Sequence, residues 1–275
     1  MFSIPCIVLI LFVLLYVHYY HTTIAENYQS KTLLDLLDSI SESNIGEVKN
    51  CDQIPSLDCI YCIYMEDRRN YIESRFKKYD LDNITYVKAC TPLDLTLYDY
   101  ETYSDTMKRS SPIYKLLTKF PVHLSYLACM YHAWKQNFKY ILVFEDDLLF
   151  TEPVSELIRI SQSFTTRDTG DVCYLGYCHL DCNVKVQQID DDLLTLPYDV
   201  PIRCKHAMIH KMDYVGDFLK NHGKLKQRSD VHFEKYYRQN KIRRVICRKP
   251  FIFQNRLELK SHNQNNSTHL TICDF

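Results

Sequence analysis

Compact apolar runs punctuate this chain, and stretches with helical spacing separate most of them. The runs are "DCIYCIYM" (58–65), "ITYVKAC" (84–90), "YILVF" (140–144), "DVCYLGY" (171–177) and "RCKHAMIH" (203–210), with a last strand in "KIRRVICRKPFIF" (241–253). Short runs with little polar alternation predict strands covered on both faces. Helical spacing falls in "EDRRNYIESRFKKYD" (66–80), in 121–138, in "PVSELIRISQSF" (153–164), in "KMDYVGDFLKNHG" (211–223) and in "SDVHFEKYYRQN" (229–240). Strands alternating with helices predict an α/β single domain, its central sheet mainly parallel and flanked by helices. Ligands of such sheets bind beyond the carboxyl ends of the strands.

One strand end stands out. In "KYILVFEDDLLF" (139–150) an apolar strand runs straight into Glu145, Asp146 and Asp147. Alternation puts Glu145 and Asp147 on one side and turns Asp146 away. Two same-side carboxylates at a strand end suit one hard divalent ion, Mn²⁺ or Mg²⁺, with substrate phosphates completing its shell. An exposed, solvated strand end is the other reading of the same residues. A second triplet, Asp190 to Asp192, follows no strand and reads as a solvated loop.

Composition narrows the chemistry. The chain has 275 residues, room for one sizeable domain or two small ones, and a formal net charge of −1, which argues against general nucleic-acid affinity. Only five glycines are present. Folds that cradle phosphate do so with glycine-rich turns. A diphosphate bound here needs a metal or side chains instead.

The N-terminal run from Phe2 to Val17 is almost wholly apolar, with Tyr19 and Tyr20 at its edge. It is near the short limit for a spanning helix, and the tyrosines suit a membrane interface. Residues 1–20 therefore read as an anchor or signal peptide, 21–55 as a stem, 56–258 as the domain and 259–275 as a polar tail. An anchor directs the domain into a lumen, as a type II protein of the endoplasmic reticulum or Golgi membrane. Acceptor triplets for glycosylation at Asn83, Asn265 and Asn266 fit that compartment. So do the 12 cysteines, some of which should pair. Cys59 and Cys62 form a lone C-x-x-C, which without a second pair is a poor zinc signature.

The block "HLSYLACMYHAWKQNFKYILVFEDDLLF" resembles the centre of glycosyltransferase family 25, which includes lipopolysaccharide and collagen galactosyltransferases. "IYCIYMEDRRNYIESRF", "CKHAMIHKMDYVGDFLKNHG" and "KPFIFQ" are similar to its opening, later and closing segments, so the resemblance spans roughly 58–255. It implies a GT-A-like fold, a UDP-hexose donor (galactose or glucose), Mn²⁺, inversion at the anomeric carbon, and a protein or glycan acceptor. Glu145 and Asp147 would hold the metal, with Glu145 alternatively a ribose contact or water-mediated ligand. Arg68 and Arg69 match its arginine pair, where a donor's uracil or phosphate could lie, with a solvated helix start as the other reading, and Asp146, within the matching acidic motif, is the third donor-binding candidate. Asp230 matches a later aspartate suited to general-base work, although Ser229-Asp230 is also ordinary helix-cap chemistry. His262 in the tail is a third metal-ligand candidate. Tyr126 stands where the family usually has histidine. A non-catalytic, membrane-tethered relative serving as a binding partner is the alternative.

Overall fold

The computed structural model describes residues 32–95, 99, 113–177, 180–224, 228–255 and 259. The N-terminal anchor, the acceptor triplets at Asn265 and Asn266, and His262 lie outside the described residues. Among the described residues no helix is long and apolar enough to cross a membrane.

In chain order the main elements are α1 (Leu33–Asn44), β1 (Cys59–Tyr64), α2 (Arg69–Lys78), β2 (Ile84–Lys88), α3 (Ile113–Lys135), β3 (Tyr140–Glu145) and β4 (Leu148–Phe150). Then come α4 (Val154–Arg167), β5 (Val172–Tyr174), β6 (Gln187–Gln188), β7 (Leu193–Leu196), β8 (Ala207–Lys211), α5 (Ser229–Gln239), β9 (Arg244–Cys247) and β10 (Ile252–Gln254). Eight strands form one sheet in the order β2-β1-β3-β8-β5-β9-β7-β6, and β4 pairs with β10 in a small second sheet.

The sheet is mixed rather than uniformly parallel. β1 runs parallel to β2 and β3, and β5 runs parallel to β9. β8 is antiparallel to both β3 and β5, and β7 to both β9 and β6. β8 and β7 are thus reversed within an otherwise codirectional set. Apolar cores cover both faces. One gathers α1, α3 and α5, with Leu37, Leu124, Leu127 and Phe233 buried. The other gathers α2 and α4, with Ile72, Phe76, Leu157 and Phe164 buried.

Alternation along β1 sends Cys59 into the first core and Cys62 into the second. The C-x-x-C is therefore a strand with two buried thiols, not a ligand pair. Helix α1 belongs to the domain, not to a stem. Its Leu37 is fully buried, and Ser41 Oγ lies 3.5 Å from the Ala128 carbonyl of α3. The capping box of Thr32 and Asp35 fixes where it begins. The 190–192 triplet is no free loop either. Asp190 accepts the Asp192 and Leu193 N–H groups, both at 2.8 Å, closing the β6–β7 turn. Strand β7 itself lies in a stretch whose sequence reads as irregular.

Candidate functional site at the acidic turn

β3 ends at Glu145, and Asp146 and Asp147 form the turn into β4. Strand alternation therefore stops before it can place Asp147, and tertiary contacts decide the three side chains. The turn is held from three directions. Glu145 pairs with Ile63 of β1 and donates its N–H to the His206 carbonyl at 2.9 Å. The Asp147 carbonyl accepts the Asn255 N–H at 2.5 Å. Buried Asn255 also donates to the Tyr71 hydroxyl at 2.6 Å, and that hydroxyl donates to the Leu148 carbonyl at 3.1 Å. A turn so braced is preorganised.

Asp146 points inward. It is 6 % exposed. Its Oδ2 accepts the Met65 N–H at 2.6 Å and its Oδ1 accepts Arg68 Nη1 at 3.0 Å. Burial pushes its pKa up, and the Met65 N–H and Arg68 guanidinium pull the other way. Arg68 and Asp146, both expected at a donor, thus pair with each other across the ends of β1 and β3. Arg69 instead faces outward. Its guanidinium lies 3.5 Å from the Tyr86 ring centroid and 4.6 Å from that of Tyr64, and it pairs with Glu73.

Glu145 and Asp147 are both half-buried. Glu145 Oε1 lies 3.4 Å from Lys205 Nζ, just ahead of β8. That ammonium sits 4.0 Å from the ring centroid of Tyr126. Tyr126 is fully buried, its hydroxyl 2.7 Å from His210 Nε2. Tyr126 is therefore a core tyrosine that carries the Lys205 ammonium on its ring.

Asp230 lies in the first turn of α5, half-buried, where the helix dipole favours a carboxylate. It is not the cap, and nor is Ser229. The cap position is Arg228, without a side-chain bond, and Ser229 Oγ lies 3.0 Å from His123 Nδ1. His132 and His206 are likewise engaged, at 2.7 Å with the Tyr61 hydroxyl and 2.9 Å with the Ile252 carbonyl.

Among the described residues no cluster of three or more His, Cys, Asp or Glu could hold a metal ion. A closed protein cage is absent from that set. With Asp146 committed to Arg68, the remaining carboxylates of the triplet are Asp147 and Glu145, the latter shared with Lys205. One or two carboxylates fit the open type of Mg²⁺ or Mn²⁺ site that a ligand's phosphates complete. Two surface cavities, about 510 and 270 Å³, are lined by Tyr198, Glu234 and Arg238 and by Asp38, His132 and Lys135 respectively. Neither is lined by the acidic turn. The turn remains the better candidate because it stands at the carboxyl ends of β1 and β3.

Sequence reasoning missed Lys205, Asn255 and the Tyr64–Tyr86 pair. The only signal for Lys205 is a lysine inside an apolar run.

No protein-family model matches this chain, and no curated protein matches it. Among solved structures it is similar to A197 from STIV, with 11% identity and a TM-score of 0.38 over 68% of this chain and 81% of that one. At that distance the likeness carries no information on chemistry.

Proposed function

We propose that this protein is a metal-dependent, inverting glycosyltransferase of GT-A-like architecture. It moves a hexose, galactose or glucose, from a UDP-sugar to a protein or glycan acceptor. The observation that carries the reading is a braced acidic turn at the carboxyl end of a central strand, in a chain without glycine-rich phosphate loops.

Asp147, with Glu145, would hold Mn²⁺ or Mg²⁺, which supplies Lewis-acid stabilisation of a diphosphate leaving group. The protein's own parts divide the rest. The Arg68–Asp146 pair fixes the turn. Arg69 between Tyr64 and Tyr86 offers a flat cationic and aromatic surface at the end of β1 for the donor. Asp230, at a helix start, is the group to take the acceptor hydroxyl's proton. The reading places the domain in the lumen of the endoplasmic reticulum or Golgi, tethered through the N-terminal segment. Cys182 and Cys204, each disulfide-bonded, support an oxidising compartment.

The test is release of UDP from UDP-galactose and UDP-glucose by the purified chain with Mn²⁺. Asp147→Ala should lose at least about 100-fold in rate and keep its melting temperature. Full turnover in Asp147→Ala contradicts the assigned role.

A further inference from the structure

Lys205 is a buried lysine that the fold alone does not account for. Its side chain is 7% exposed. Lysine is almost never buried unless well paired, because the ammonium gives up strong hydration. Its partners among the described residues are Glu145 Oε1 at 3.4 Å and the faces of Tyr126 and Phe233, at 4.0 and 6.0 Å. An ammonium has three protons to donate. One long hydrogen bond and an aromatic face leave donor capacity unused.

Its position in the sheet is specific. β8 runs antiparallel to β3, so the residues just before it stand at the carboxyl end of β3. Phe144 pairs with Ala207, and the Glu145 N–H reaches the His206 carbonyl at 2.9 Å. The Tyr126 ring beneath the ammonium is locked by its bond to His210 at 2.7 Å.

We infer that Lys205 is a phosphate-contacting residue, whose ammonium shares Glu145 and donates to the phosphate oxygens of a bound nucleoside diphosphate. This rests on the nucleotide-sugar reading above and adds a residue to it. The rival role is purely structural: Lys205 neutralises Glu145 and nothing more. The two roles predict opposite effects. If Lys205 only neutralises Glu145, removing it frees that carboxylate, and metal and nucleotide bind as well or better. If it contacts phosphate, nucleotide binding falls while metal binding does not.

Calorimetric titration of the full chain separates them, with Mn²⁺ alone and with UDP in saturating Mn²⁺. Lys205→Met should bind UDP about 10- to 100-fold more weakly, the usual scale for a lost charged hydrogen bond, with Mn²⁺ affinity unchanged or tighter. Lys205→Arg, which keeps the charge and guards against loss of fold, should recover most of the UDP affinity. Unchanged or tighter UDP binding by Lys205→Met, or an Arg variant as weak as the Met variant, overturns the inference and leaves the transferase reading standing. Absence of UDP binding by the unmodified chain with Mn²⁺ overturns both.

Discussion

His210 makes this fold acid-sensitive in a way that can be measured. It is fully buried on β8. Its Nε2 lies 2.7 Å from the Tyr126 hydroxyl and its Nδ1 2.6 Å from that of Tyr214, which in turn lies 3.2 Å from the Tyr237 hydroxyl. A neutral imidazole has one donor and one acceptor, so one tyrosine donates to it and the other accepts. Protonation would make both nitrogens donors and put a charge in an apolar cluster. Burial first, and the Lys205 charge second, bring His210 down from 6.5 to about 3. The unfolded chain therefore binds this proton before the folded one does. Stability from the neutral histidine is complete above pH 6.5 and is lost as the pH falls towards 3. At about 1.4 kcal/mol per pH unit, the two units between 6.5 and 4.5 cost roughly 3 kcal/mol. His123, also fully buried and held low by burial and then by His232, adds a loss of the same sign.

The perturbation is His210→Phe. At pH 7.5 it should destabilise by about 2–5 kcal/mol, because two buried hydroxyls lose their partner. It should also flatten the acid response. Urea unfolding at pH 7.5 and 4.5 gives the stability drop for each protein. The drop should be roughly 3 kcal/mol smaller in the variant than in the parent. His210→Gln, which retains hydrogen-bonding capacity, gives the same comparison if the Phe variant is too unstable. Equal drops in parent and variant would refute the reasoning, since the titrating group would then lie elsewhere.

Two further predictions concern the packing of the fold. A Cβ at Gly176 would overlap the Ile252 carbonyl and crowd the ring of His206, whose own carbonyl holds the acidic turn, so Gly176→Ala should cost about 3 kcal/mol or more, read as a fall in melting temperature. Arg244 is fully buried and donates to the Val200 and Pro197 carbonyls at 2.7 and 2.5 Å. Arg244→Met leaves both without that donor and should cost about 2–4 kcal/mol in urea; a loss below about 0.5 kcal/mol would show that the loop finds other partners.

Much of the fold is legible in the sequence because burial writes itself into composition. β1 and β3 are covered on both faces and read as unbroken apolar runs. Direction does not show in such runs. β8 looks like any other strand, and its reversal is set by pairing with β3 and β5. Helix α1 shows its amphipathic patch but not its docking on α3, and β7 is too short to separate from its turn. For the site, the strand-end position of Glu145 was readable. The inward turn of Asp146 was not, because its partner Arg68 lies 78 positions away in sequence. Lys205 escaped for the same reason: its meaning comes from Glu145, 60 positions earlier.

The nucleotide-sugar reading is tested most directly by a panel of nucleotide sugars presented to the full chain with and without Mn²⁺, following nucleotide release. Release of UDP from UDP-galactose or UDP-glucose in Mn²⁺, abolished by chelation, is the predicted result. No release from any donor, together with no UDP binding, would contradict it and leave the acidic turn as a structural junction in a non-catalytic binding protein.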